Sequence, residues 1–202
     1  MVEQGKYPVI FISLKDLKGN TWEENFTLIK KYIKNLYMEF YDLKDKLNPI
    51  FKNDFEKIVM EKEDADWLYA LKNLSNYLYE YYGEKVIILI DEYDAPIINA
   101  FDKGYYNEAV NFFQTFYSSA LKTNNSLKYG ILTGITRIIK EGIFSGLNNL
   151  KVNTIFSEKY SEYYGLTEEE VLEAVKYYDM EYEMQDIRKW YDGYQFGKSE
   201  VY

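Results

Sequence analysis

The chain has 202 residues, 47% apolar and 28% charged, enough for one domain with a full core, or one domain with a small appendage. Thirty-three acids against 24 bases leave a net charge of −9, which argues against this chain gripping nucleic acid by neutralising phosphates. No apolar run reaches the ~20 residues of a bilayer span, and Met1-Val2-Glu3-Gln4-Gly5 lacks both a basic start and a hydrophobic stretch, so a soluble, cytoplasmic protein with no membrane contact is expected.

In chain order, Lys6-Tyr-Pro-Val-Ile-Phe-Ile-Ser13 is a continuous β-branched and aromatic run, the pattern of a strand buried on both faces. Thr21-Trp-Glu-Glu24 has the form of a capping box, and Trp22, Phe26, Ile29, Ile33, Leu36 and Phe40 continue it at helical spacing. Leu43 to Met60 is charged and broken by Asn48-Pro49, which predicts shorter helical pieces. Trp67, Leu71, Leu74, Leu78 and Tyr82 mark a further helix, closed by Gly83. Lys85-Val-Ile-Ile-Leu-Ile90 is the most hydrophobic segment and ends abruptly in Asp91-Glu92-Tyr93-Asp94-Ala95-Pro96. An aromatic helix is predicted over Asn107 to Leu121, a buried strand over Lys128 to Leu132, and a fourth strand over Val152 to Phe156. Thr167-Glu-Glu-Glu170 is a second capping box, opening a helix through Val171, Leu172, Val175 and Tyr178. Gln185 to Trp190 reads as a turn or two of helix, and Tyr191 to Gly197 as a turn or hairpin.

Strands alternating with helices imply an α/β fold, a parallel sheet with helices on both faces, followed by a small C-terminal helical region. Residues 1–160 are expected to form the α/β core and residues 161–202 the extension. In such sheets ligands bind at the carboxyl ends of the strands, and Asp91, Glu92, Thr133, Gly134 and Arg137 all fall at strand ends.

The residues available for chemistry are restricted. With no histidine and no cysteine there is no imidazole base, no disulfide and no thiol nucleophile, so any reaction must run on carboxylates, hydroxyls, Lys or Arg. Arg137 and Arg188 are the two arginines among 24 basic residues; that bias, with 23 Tyr, matches AT-rich codon usage, and the tyrosine excess is not read as function. Five branched apolar residues followed by Asp91-Glu92 have the form of a Walker B motif. There the strand-end Asp holds Mg²⁺, usually through water, and the Glu polarises the water that attacks a γ-phosphate. The same residues also admit a plain turn, with Asp91 capping and Glu92 solvated.

Three ordered strings carry a resemblance: Val86-Ile-Ile-Leu-Ile-Asp-Glu-Tyr-Asp-Ala-Pro-Ile97, Gly130-Ile-Leu-Thr-Gly-Ile-Thr-Arg-Ile138 and Trp190-Tyr-Asp-Gly-Tyr-Gln-Phe-Gly197. Together they resemble the bacterial AAA-ATPase-like family, whose members commonly carry a nuclease-like domain of the PD-(D/E)XK class after the ATPase region. The resemblance implies a P-loop NTPase-like fold using Mg²⁺ and ATP. It implies that Asp91 binds the metal, that Glu92 is the catalytic base with a place beside the nucleotide, that Thr133 contacts the water or γ-phosphate, and that Arg137 stabilises developing charge.

In that family a strand and a glycine-rich Gly-Lys-Ser/Thr loop precede the first strand found here, so the chain reads as the second part of an ATPase domain and is expected to hydrolyse no ATP by itself. Gly193-Tyr-Gln-Phe-Gly-Lys-Ser199 does not replace the loop, because three residues rather than four separate its glycines and no strand leads into it. Its expected role is a turn, with Tyr191, Tyr194 and Phe196 packing against the domain. Family order places the strand before the phosphate loop between the strand ending at Leu132 and the segment Val152 to Phe156. Without that strand, Val152 to Phe156 is expected to close up, to become irregular, or to leave a gap that a neighbouring molecule covers, which makes self-association an expectation.

Two other readings stand beside this one. A nuclease using Asp91, Glu92 and Asp94 on one metal would need a nearby lysine and a basic groove, which the net charge disfavours. A nucleotide-independent interaction module would keep the scaffold for partner binding. The acidic run Glu61, Glu63, Asp64 and Asp66 reads as a solvated helix start, and Phe112, Phe113, Phe116 and Tyr117 read as core.

Overall fold

The computed structural model describes residues 4–135, 150–163, 165–180, 184–191 and 193–201. The chain divides into two compact units, residues 1–148 and 149–202.

In the first unit three strands, β1 (Val9–Ser13), β2 (Val86–Asp91) and β3 (Leu127–Leu132), form a parallel sheet in the order β1-β2-β3. Parallel strands need long crossovers, and the helices supply them. Between β1 and β2 run α1 (Trp22–Glu39), a 3₁₀ turn at Tyr41–Lys46, α2 (Pro49–Val59) and α3 (Ala70–Tyr82); between β2 and β3 run α4 (Ala95–Lys103) and α5 (Tyr106–Leu121). Asn48 caps α2 by accepting from the N–H groups of Ile50 and Phe51, so Asn48-Pro49 starts that helix rather than merely breaking the chain. Thr21 caps α1 by accepting from the Glu24 N–H, while the Glu24 carboxylate turns back one residue further, to the Asn20 N–H at 2.9 Å.

The strand register gives the sheet two unlike faces. Ile10, Ile12, Val86, Ile88 and Ile90 point to one side and are buried under the helices, in a core that includes Tyr37, Leu71, Leu74, Leu78, Phe113 and Tyr117. Val9, Phe11, Tyr129 and Ile131, in register with Ile87 and Leu89, point to the other side and are exposed. The outer side of β3 has no strand partner among the described residues.

The second unit holds α6 (Glu168–Tyr177), α7 (Met184–Tyr191) and an antiparallel hairpin of β4 (Tyr194–Phe196) and β5 (Ser199–Val201). A complete capping box starts α6, with Thr167 and Glu170 bonded reciprocally. Gly197 has φ of +56° in the hairpin turn, so Gly197-Lys198 serves a tight reversal and not a phosphate loop. Two expectations are corrected here. Val152 to Phe156 forms no strand and takes the irregular course that is one of the three outcomes expected for it: the segment turns at Thr154 to Ser157, where the Ser157 N–H donates to the Thr154 carbonyl at 2.8 Å and the Ser157 hydroxyl accepts from the Thr154 N–H. Local side-chain bonding of this kind competes with a strand ladder. Tyr191, at the end of α7, and Tyr194, in β4, do not pack into a core but are about two-thirds exposed, because the short two-stranded hairpin has too little surface to cover them.

Candidate functional site at the strand ends

The carboxyl ends of all three strands converge on Asp91. As the last residue of β2, Asp91 shares its face with Ile87 and Leu89, so its side chain lies on the open side of the sheet. Its Oδ1 accepts from the Thr133 hydroxyl at 2.5 Å, and its Oδ2 from the Ser13 hydroxyl at 3.3 Å. One carboxylate thus ties together the ends of β1, β2 and the segment just past β3.

The backbone around it is equally fixed. The Leu14 N–H donates to the Asp91 carbonyl at 3.0 Å, the Thr133 N–H to the Ile90 carbonyl at 2.9 Å, and the Tyr93 N–H to the Thr133 carbonyl at 3.0 Å. These bonds carry the parallel ladder past the strands and hold Asp91 from both sides. From the helical side, the Tyr32 hydroxyl of α1 accepts from the Ser13 N–H at 2.8 Å, and the fully buried Tyr117 hydroxyl of α5 donates to the Tyr93 carbonyl at 2.8 Å. Burial first, and then the Asp94 charge, push the Tyr117 phenol well above its ordinary range.

Glu92 has φ of +50°, in the left-handed region that costs a non-glycine residue about 1 kcal/mol. The conformation breaks the strand within one residue and sends the chain into α4, which Asp94 and Pro96 open. The Glu92 carboxylate is half-buried, with no hydrogen bond or ion pair among the described residues. Asp94, by contrast, is 1% exposed and faces Gly134, where an added Cβ would lie 2.6 Å from the Asp94 Oδ1 and 2.7 Å from the Tyr93 ring. Gly134 is required there for close approach, which keeps Thr133 over Asp91.

The structure therefore brings Asp91, Glu92 and Thr133 to one sheet edge, while Arg137 lies outside the described residues. Ser13, Tyr32 and Tyr117 escape sequence reasoning. A serine ending a strand carries no signal of its own, and the two tyrosines have the helical spacing of core residues.

As a metal site the arrangement is partial. Among the described residues no three acidic side chains are grouped to hold an ion. Two consecutive carboxylates flanked by two hydroxyl groups do fit Mg²⁺, which takes one or two protein carboxylates and completes its shell with water and phosphate oxygens.

A parallel sheet with helical crossovers and its polar groups gathered at the strand carboxyl ends is consistent with a P-loop-like α/β domain. The family described as "Predicted AAA-ATPase" matches residues 1–144, and the chain belongs to this AAA-ATPase-like family. It is also similar to an uncharacterized protein in the vnfD 5′ region of Azotobacter chroococcum mcd 1, with 33% identity over 122 residues, which cover 59% of this chain and 23% of that protein. The chain thus matches less than a quarter of the relative's length. No solved structure matches it.

Proposed function

We propose that Asp91 and Glu92 form the acidic edge of a Mg²⁺·ATP site of the AAA-ATPase-like kind. The observation that carries this reading is the pair of hydroxyl groups on Asp91, Thr133 at 2.5 Å and Ser13 at 3.3 Å, which fix a carboxylate at the strand end with lone pairs to spare. Bound Mg²⁺ supplies the positive charge that offsets the phosphates. Asp91 presents oxygen ligands to it directly or through water. Glu92, aimed by its left-handed backbone and without a partner of its own among the described residues, accepts a proton from the attacking water. Thr133 acts in part through Asp91, as a positioning residue at the sensor location, and Arg137 stabilises charge that develops on the phosphates.

The test uses the protein that carries the whole ATPase region. Glu92→Gln is expected to keep Mg²⁺·ATP binding and to lower turnover roughly a hundredfold or more, because it removes the base and leaves the neighbouring ligand. Asp91→Asn is expected to weaken the Mg²⁺-dependent part of binding. Wild-type turnover in Glu92→Gln would sink the assignment.

A second reading, a module that binds partners without nucleotide, is favoured by the open sheet face, where Val9, Phe11, Tyr129 and Ile131 are each 44–58% exposed. Self-association would use the same face and the free side of β3. Concentration-dependent sedimentation that is insensitive to ATP, but abolished by Phe11→Asp with Ile131→Asp, would support it over the first. A nuclease centred on Asp91, Glu92 and Asp94 is not favoured, because Asp94 is buried against Gly134.

A further inference from the structure

Away from the strand ends, a cavity of about 220 Å³ opens between α1, α2, α3 and the segment that joins α2 to α3. Tyr37 and Tyr77 line it, with Asp54, Asp64, Asp66 and Lys57. Lys57 is already engaged, 2.9 Å from Asp64 and 3.5 Å from Asp54, so three carboxylates face one ammonium and two negative charges remain in excess. The Asp66 Oδ1 accepts from the Tyr69 N–H at 3.3 Å, which fixes the side chain and leaves its other oxygen open.

Acidic side chains at a helix start are commonplace, and by themselves they would mean only solvation. The tyrosines change that. The Tyr37 hydroxyl donates to the Ala70 carbonyl at 2.8 Å and is satisfied. Tyr77 is 2% exposed, its ring packed against Tyr37, Phe51 and Phe55, yet its hydroxyl has no hydrogen-bond partner among the described residues. Tyr77 lines the same cavity as Asp54 and Asp66. Its hydroxyl is the accessible end of an otherwise buried side chain, so a ligand atom in the cavity can pair with it in place of water.

We propose that this cavity binds a short aliphatic diamine. The volume exceeds the ~150 Å³ that accommodates benzene in an engineered cavity, which admits a molecule of roughly six to eight heavy atoms. Two excess negative charges match two ammonium groups. A single metal ion does not fit, because no three acidic side chains among the described residues are grouped around one point. The charges are spread along the cavity, as a ligand with separated cations requires, while Ile58 and the two tyrosine rings offer apolar surface to the methylenes between them. One ammonium lies with Asp66 and the Tyr77 hydroxyl, the other toward Asp54 and Asp64. This inference is independent of the nucleotide reading.

The probe is diaminobutane, titrated calorimetrically into the protein at low ionic strength, where partly exposed charge pairs are least screened. Binding with a Kd below about 1 mM is expected, at least about tenfold tighter than for butylamine, which carries one charge on the same carbon chain. Asp66→Asn keeps the bond to the Tyr69 N–H and is expected to weaken diaminobutane about tenfold; Tyr77→Phe is expected to weaken it about threefold. Circular dichroism and thermal melting establish that each variant is folded, and Asp66, on an exposed turn, keeps the test open if Tyr77→Phe does not fold. No heat of binding up to about 10 mM, equal affinity for butylamine, or unchanged affinity in the folded Asp66→Asn protein overturns the proposal.

Discussion

The two faces of the three-stranded sheet are built from the same kinds of residue and have opposite fates. Ile12 is 1% exposed and its neighbour Phe11 is 58% exposed, although both sit in one unbroken apolar run. On the covered face the helices convert the branched side chains of β1 and β2 into core. On the open face the apolar rows lead to Ser13, Asp91 and Thr133, so the polar cluster stands at the end of a surface left exposed among the described residues. Stability resides on one side of the sheet, and the groups suited to binding reside on the other.

That contrast can be broken by experiment, the largest effect first. Ile88→Ala, on the covered face, is expected to cost about 2–5 kcal/mol in urea unfolding, the range for truncating a buried aliphatic residue in a close-packed core. A cost under about 1 kcal/mol would show that the helices pack loosely on the strands.

Gly134→Ala should come next. The new methyl would press on Asp94 and the Tyr93 ring, and a loss of about 1–3 kcal/mol is expected as Thr133 moves off Asp91. Unchanged melting would mean that the strand-end turn tolerates displacement.

The helical side of the site sets an alkaline limit. Tyr117 has its phenol raised above the ordinary value near 10, chiefly by burial. Above that value the unfolded chain loses this proton before the folded chain does, so stability is full below about pH 10 and falls as pH rises toward the folded-state value. Tyr117→Phe is expected to cost about 1 kcal/mol at neutral pH, through the lost bond to the Tyr93 carbonyl, and to make the alkaline limb of a pH–stability profile shallower. A limb as steep as that of the wild type would remove Tyr117 as its cause.

Smaller still is the coupling of Thr133 to Asp91, expected at about 1 kcal/mol in a double-mutant cycle of Thr133→Val and Asp91→Asn, since the hydroxyl is exposed. Phe11→Ser closes the series, with a stability change expected within about 0.5 kcal/mol. A loss above about 1 kcal/mol would show that the open face is covered.

Asp91 and Glu92 were legible because an acid pair after five branched apolar residues is a local pattern, and the helix starts were legible because capping residues act within three positions of each other. The helix Ala95–Lys103 was less so: Asp94-Ala-Pro reads equally as a strand stop and as a helix start, and the left-handed Glu92 decides between them. Val152 to Phe156 is irregular rather than a strand because β-branched content does not suffice for one; with no strand neighbour among the described residues, the side-chain bonds of Thr154 and Ser157 prevail.

The sequence by itself determined what depends on near neighbours along the chain: the alternation of strands and helices, their caps, the acid pair at a strand end, and the exclusion of imidazole and thiol chemistry. Tertiary structure alone decided which face of each strand is buried, that Ser13 and Thr133 meet on Asp91 across 78 and 42 residues of separation, and that Tyr77 leaves its hydroxyl over a cavity rimmed by carboxylates. The reason is physical. A continuous apolar run carries no period to mark its inner side, and a hydrogen bond between distant residues exists only once the sheet and its crossovers have closed the chain between them.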